Sequence, residues 1–488
     1  MPELIDITEL ATRLREDAEA TGHRRCLVLA GETGAWSRSR AESVIADRAA
    51  EEVLWVGHEA PNRLKAVPPD KAKSVLGREF TLVVMDAFSG FDVDAFGAAS
   101  GTLRGGGLLL LLTPLLDQWP QFPDPEQRRI AVYPFAPESL TGRFVSRFIS
   151  VMRGAPGVSI VEQGKAVSMP SCREVSAWSE VPADSVCRTI DQARAVEAVI
   201  RVVTGHRRRP AVLTSDRGRG KSAALGIAAA RLVERGIESI VVTGPRLESV
   251  GPIFEHAGRL LPGAYTSRSR VERDGCRIEF AAPDELTMKP RPAGLLLVDE
   301  AAAIPTPVLG QLLEHYSRVA FATTVHGYEG TGRGFAVRFN RVLDERTPHW
   351  KALRLSQPIR WAERDPVERF VFRALLLDAT AAPDEVARTA GPGNCTLERV
   401  DRDALLRDEE SLSELFGLLV LAHYRTRPLD LRHLLDGPNL TVWVMRRERH
   451  VVATALVAEE GGFDAATARG VWEGRIRPHG HLLPESLA

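Results

Sequence analysis

Thr214-Ser-Asp-Arg-Gly-Arg-Gly-Lys-Ser222 follows the apolar run Ala211-Val-Leu213 and opens an alanine-rich stretch, Ala223 to Val233. A strand, a glycine-rich turn and a helix in that order make a phosphate-binding loop. Gly218 and Gly220 let the backbone turn so that its N–H groups face phosphate oxygens. The helix N-terminus adds a favourable dipole. In this reading Lys221 reaches the β- and γ-phosphates of ATP, and the Ser222 hydroxyl ligates Mg2+. Thr214, Ser215, Asp216, Arg217 and Arg219 line the same nucleotide. The pattern usually begins with Gly, and here that position is Ser215. A basic helix cap made by Arg217, Arg219 and Lys221 is the competing reading. It does not explain the Gly-Lys-Ser core behind an apolar strand.

Roughly eighty residues downstream, Leu295-Leu-Leu-Val-Asp-Glu-Ala-Ala-Ala-Ile-Pro305 is an apolar run that ends on two carboxylates. Asp299, at the strand's carboxyl end, is placed to hold the Mg2+ shell. Glu300 is placed to polarise an attacking water, so the pair supplies the charge arrangement of phosphoryl transfer. Surface loops also begin this way; the upstream loop gives the pair its meaning. Phe321-Ala-Thr-Thr-Val-His-Gly-Tyr-Glu-Gly-Thr-Gly-Arg-Gly-Phe335 ends a further strand in paired threonines and presents Glu329 and Arg333 on a Gly-rich loop. Arg333 is a candidate to stabilise transition-state charge, and Arg360 in Gln357-Pro-Ile-Arg-Trp361 is a second. A solvated arginine is the plain alternative for both. Gln192, in Thr189-Ile-Asp-Gln-Ala-Arg194, lies where helicases place a glutamine on the adenine edge. His206-Arg-Arg-Arg209 fits nucleic-acid phosphates and fits a solvated loop equally well.

Strand-like runs recur on both sides of the loop. Upstream they are Cys26–Ala30, Val53–Val56, Leu82–Asp86 and Gly107–Thr113; around it, Ser239–Thr243, Ile278–Ala281, Leu295–Val298, Val319–Thr323 and Ala352–Leu355. Continuous apolar runs separated by helical lengths predict parallel sheets covered on both faces. Gly31-Glu-Thr-Gly34 after the first strand lacks a Gly-Lys-Ser, so the N-terminal unit reads as structural or partner-facing. A Gly-, Pro- and Ser-bearing stretch from Pro156 to Pro182 marks a boundary. Beyond about residue 385 the texture changes. Asp401–Tyr424 reads as one long amphipathic helix, and Leu440–Met445 with Val451–Val457 as a hairpin. The fold class is α/β, divided at 1–178, 179–385 and 386–488.

The length of 488 residues agrees with about three domains at ~150 residues each. Lys+Arg is 63 against Asp+Glu 64, so a globally basic coat is excluded while a local basic groove is not. Only seven of those cations are Lys, and Arg makes forked contacts with phosphate that Lys cannot. Cys26, Cys172, Cys187, Cys276 and Cys395 form no Cys-x-x-Cys pair. That argues against a zinc cluster, a disulfide framework or a disulfide partner, and for a reducing cytoplasm. The longest apolar run, Gly105–Leu116, is too short for a bilayer, and the acidic N-terminus does not read as a signal peptide.

Three strings, Arg217-Gly-Arg-Gly-Lys-Ser222, Val298-Asp-Glu-Ala-Ala-Ala-Ile-Pro305 and His326-Gly-Tyr-Glu-Gly-Thr-Gly-Arg-Gly334, are contiguous and unusual. With the texture of Arg477–Leu487, they make the whole chain resemble the bacterial tRNA(Met) cytidine acetyltransferase family. The resemblance implies an N-terminal α/β domain, a RecA-like, helicase-like ATPase domain and an acetyltransferase domain of the GNAT class. It implies acetyl transfer from acetyl-CoA to the exocyclic amine (N4) of the wobble cytidine of elongator tRNA(Met). ATP hydrolysis would rearrange the tRNA, and extruding a base costs a few kcal/mol. The family's Gly-rich CoA loop has no match after Leu440, so residues 386–488 are expected to be only the start of the GNAT domain. This chain by itself is then expected to bind and hydrolyse ATP and to bind acetyl-CoA poorly or not at all. A nucleic-acid-stimulated ATPase without acetyl transfer is the alternative.

Overall fold

The computed structural model describes residues 6–165, 182–325, 333–422 and 426–478. Its contacts divide the chain into two units, Met1–Ser176 with Arg364–Ala488, and Ala177–Glu363.

The first unit is built on six parallel strands in the order Ala66–Val67, Val53–Val56, Phe80–Asp86, Leu103–Pro114, Arg25–Gly31 and Val158–Glu162. Both faces are covered, as the uninterrupted apolar runs require. Cys26, Val28 and Ala30 enter one core cluster, and Leu27 and Leu29 the other. One face carries the helices Ile7–Thr21 and Gly34–Ile45. The other is closed by Val93–Ser100 and Arg143–Arg153, and by Pro366–Leu375 and Pro428–Asp436 from far along the chain. Phe148 anchors this side, with ring centroids 4.9 Å from Phe91, 5.4 Å from Phe96 and 5.5 Å from Phe370.

Residues 364–385, expected to close the second domain, therefore group with the first unit. Phe370 fills its core, and Asp365 pairs with Arg24 at 2.8 Å in full burial. Arg147 donates to the carbonyls of Ala374 at 2.7 Å and Arg373 at 2.8 Å, and buried Arg432 pairs with Asp124 at 2.7 Å. The single helix expected over 401–424 is two, Arg402–Leu405 and Glu409–Ala422. Asp401 caps the first through the Asp403 amide at 2.9 Å, and Asp408 caps the second through the Ser411 amide at 3.0 Å. A short acid that satisfies the free amides of a new first turn favours starting a helix over continuing one. The hairpin is present as Leu440–Arg447 and His450–Ala458, joined in an antiparallel sheet by Thr396–Arg399.

The second unit holds eight strands in the order Lys351–Leu355, Ala211–Ser215, Val319–Thr324, Leu295–Val298, Ser239–Thr243, Cys276–Phe280, Arg270–Arg273, Tyr265–Thr266. The first six are parallel, and a short hairpin closes the edge. After Ala211–Ser215 the chain forms the helix Lys221–Glu234 and rejoins the sheet at Ser239–Thr243, passing over two strands. The carboxyl ends of those two, Thr324 and Val298, are left beside the glycine-rich loop. This is the switch point at which α/β sheets take ligands. Among the described residues no helix is long and apolar enough to cross a membrane. Cys26, Cys187, Cys276 and Cys395 are free thiols; Cys172 lies outside the described residues.

Candidate functional site

Gly218 and Gly220 both sit at φ +79°, the left-handed region that glycine enters without strain. The turn they make is held from behind. A Cβ on Gly220 would lie 2.7 Å from Gln192 Nε2, and one on Gly218 3.3 Å from the Trp361 ring. The helix then begins at Lys221, whose ammonium is folded inward and buried. Its Nζ donates to Ser215 Oγ at 2.9 Å and to Thr324 Oγ1 at 3.1 Å. Ser215, at the position where glycine is usual, is thus a partner of the lysine, and its own hydroxyl donates to the Asp216 carbonyl at 2.6 Å. Burial pushes the Lys221 pKa down, while Glu300 and Asp299 pull it back up.

Register brings the acids to the same place. Thr324 pairs with Ser215 across one strand boundary and Phe321 with Val298 across the next. Asp299 is fully buried, and its Oδ1 accepts the Glu300 amide at 2.9 Å. Its Oδ2 is buried without a hydrogen-bond partner. Burial, then repulsion from Glu300, pushes the Asp299 carboxyl up to about 6, with the Ser222 hydroxyl and Lys221 acting in the opposite sense. An orphaned carboxylate oxygen beside a serine hydroxyl is a donor set that a hard divalent cation takes. The residues present therefore fit a magnesium ion. Glu300 stands in the left-handed region at φ +46°, and Thr324 donates to its carboxylate oxygens at 3.3 Å. Lys221, Thr324 and Glu300 thus form one polar chain across three adjacent elements.

The remaining candidates are placed less uniformly. Gln192 is buried; its Oε1 accepts the Arg188 amide at 2.8 Å and its Nε2 donates to the Gly220 carbonyl at 3.3 Å. Arg219 is turned into the loop's own support, donating to the carbonyls of Ser356 at 2.9 Å and Arg217 at 3.0 Å. Thr214 donates to the Leu353 carbonyl at 3.4 Å. Asp216 and Arg217 are half-buried in the loop. Arg360 is half-buried on the segment that reaches the loop through the Ile359 amide and the Gly218 carbonyl, 3.1 Å apart. Arg333 opens the helix Arg333–Arg346; its side chain, Glu329 and the rest of residues 326–332 lie outside the described residues. Sequence reading missed Asp191, whose Oδ2 accepts from the Ser356 amide at 2.8 Å and its hydroxyl at 2.9 Å. It also quoted Thr324 only as a strand end. The paired threonines were a usable signal; a lone Asp in a helix's first turn was not.

Fold and site together define a phosphate-loop, helicase-like α/β protein. Residues 212–378 match the family model described as RNA cytidine acetyltransferase NAT10/TcmA, helicase domain. Residues 1–163 match the model described as tRNA(Met) cytidine acetyltransferase TmcA, N-terminal. The chain belongs to the tRNA(Met) cytidine acetyltransferase TmcA family. It is 60% identical to the tRNA(Met) cytidine acetyltransferase TmcA of Nitrosococcus halophilus over 100% of this chain and 66% of that protein. Identity is 41% to the Haloferax volcanii protein of the same description (98% and 66%) and 35% to that of Vibrio cholerae (93% and 60%). The chain thus spans just under two thirds of the length of these curated relatives. Among solved structures, the large terminase of the thermophilic bacteriophage D6E aligns over 59% of this chain and 70% of its own. Its identity to this chain is 11%, at a TM-score of 0.30.

Proposed function

We propose that this chain supplies the ATP-hydrolysing part of a tRNA(Met) cytidine acetyltransferase. The whole protein would transfer acetyl from acetyl-CoA to N4 of the wobble cytidine, in the cytoplasm, with hydrolysis remodelling the bound tRNA. Residues 1–176, completed by 364–385, are its N-terminal α/β domain, 177–363 its ATPase domain and 386–488 the opening of its GNAT domain. The observation that carries the reading is the polar chain Lys221–Thr324–Glu300 beside the buried Asp299.

On this reading the loop amides of residues 216–222 bind phosphate. Lys221 exchanges its Ser215 and Thr324 bonds for the β- and γ-phosphate oxygens. Asp299 and Ser222 would hold Mg2+, which neutralises phosphate charge when bound. Glu300, released from Thr324, orients water and takes up its proton. Arg333, with Arg360, supplies positive charge to the γ-phosphate. Gln192 sets the height of the loop through Gly220, on the side that adenine approaches.

Lys221→Ala should lower ATP turnover at least a hundredfold, the scale of losing one preorganised charge. Unchanged turnover in a phosphate-release assay sinks the loop assignment. tRNA(Met) should stimulate hydrolysis more than unrelated single-stranded DNA does. Equal stimulation by both favours a general nucleic-acid-stimulated ATPase.

A further inference from the structure

The switch point uses the carboxyl ends of the strands. At their amino ends the same sheet gathers cations that the ATPase reading leaves unused. Lys351–Leu355, Ala211–Ser215 and Val319–Thr324 are adjacent in the sheet. The loops that enter them are tied together: the Arg208 amide donates to the Ser317 carbonyl at 2.7 Å, and the Lys351 amide to the Pro210 carbonyl at 2.9 Å. Neighbouring strands lie about 4.8 Å apart, so three loops converge within roughly 10 Å. They carry Arg207, Arg208, Arg209, Arg318 and Lys351. Arg318 is half-buried with an unpartnered Nε, and the other four are exposed.

None of the five has an ion-pair partner among the described residues. The carboxylates that the flanking helices bring to this end are already engaged. Glu314 pairs with Arg346, Glu345 with Arg341, and Asp344 accepts the Trp350 indole N–H. The positive charge here is therefore not neutralised by ion pairs among the described residues.

Arg208 supplies a second, independent observation. It is not a glycine, yet it sits at φ +58°, where Gly or Asn is at ease and other side chains are strained. A strained backbone retained in an exposed loop points to a use for the side chain it displays.

We propose that this edge, centred on Arg207, Arg208 and Arg209, binds the phosphodiester backbone of the RNA substrate. The proposal rests on the tRNA reading and gives it a location. Guanidinium groups grip phosphate in forked pairs, and a row of them on converging loops follows a sugar–phosphate strand. The strand length puts the edge roughly 15 Å from the phosphate loop, so RNA could be held here without obstructing the nucleotide.

The test titrates labelled tRNA(Met) transcript with the full chain, Arg207→Ala/Arg209→Ala and Arg208→Gly, between 50 and 200 mM KCl. The double variant should bind about tenfold more weakly, and its log K against log salt slope should fall in magnitude by about 1.5. Arg208→Gly should weaken binding about threefold while its melting temperature stays level or rises, because glycine relieves the left-handed strain. A merely structural arginine would lose both together. Basal ATP turnover should be unchanged in both variants. Wild-type affinity and slope in both variants overturn this proposal alone. A wild-type chain that binds no RNA overturns it together with the tRNA reading. Variants that lose binding to vesicles of three parts phosphatidylcholine to one part phosphatidylserine, and keep RNA binding, assign the edge to membranes and overturn it as well.

Discussion

At Gly220 the loop has no room for a side chain. Its φ of +79° and the 2.7 Å approach of a would-be Cβ to Gln192 Nε2 both oppose substitution. Gly220→Ala should cost about 1–3 kcal/mol of second-unit stability, the scale of one residue forced into a sparse backbone region. It should also raise the KM for ATP about tenfold by shifting the loop amides; thermal melts and steady-state kinetics check both. The loop and the acidic pair were legible in the sequence because each is short and local. A strand, a glycine turn and a lysine fix their own geometry over nine residues. The support that Arg219 gives the loop was not legible, for the converse reason. Its partner, the Ser356 carbonyl, comes from a distant segment, and no local pattern points to it. Asp191 escaped reading for the same cause.

Among the elements, the helix Pro366–Leu375 depends on one buried acid. Asp365 neutralises Arg24 and caps its own helix through the Glu368 amide at 2.7 Å. Asp365→Ala removes the carboxylate that Arg24 is buried against and should destabilise the first unit by about 4 kcal/mol, as read by urea unfolding. The helix Pro428–Asp436 should respond to pH. Burial pushes the Asp436 carboxyl up to about 6, against the pull of Arg432 and the Phe144 amide. The native state then holds that proton more tightly than the unfolded chain. The group's contribution is greatest below about pH 4 and is lost as pH rises through 6. Asp436→Asn should therefore gain about 2 kcal/mol at pH 7.5 and little at pH 4, measurable as melting temperatures at the two values. The strands buried on both faces were legible, whereas Val158–Glu162, inside the stretch read as a boundary, was not. A strand buried on both faces is a bare apolar run, whereas Asp408 ends one helix and starts another through a single side-chain bond.

Over the whole molecule, the first unit is assembled from two distant stretches of chain. Phe370, Leu375, Leu431 and Leu434 complete the core begun by Phe96 and Phe148. A fragment ending at residue 176 should therefore expose that aromatic face, bind a hydrophobic dye and melt without a sharp transition. Adding residues 364–488 in trans should restore the transition. A cooperative, dye-free fragment would show that the late helices are ornament to a core complete without them.

The sequence by itself determined the parallel strands of both sheets, the glycine-rich loop and the position of the acidic pair, because apolar runs, glycine turns and strand-terminal carboxylates are local in chain and in space. Only the tertiary structure decided that residues 364–385 belong with the N-terminal sheet, that Ser215 and Thr324 share Lys221, and that three loops pool their cations at one sheet edge. Those pairings follow from strand order and buried partner chemistry between residues far apart in the chain, and no period or motif along the sequence encodes that distance.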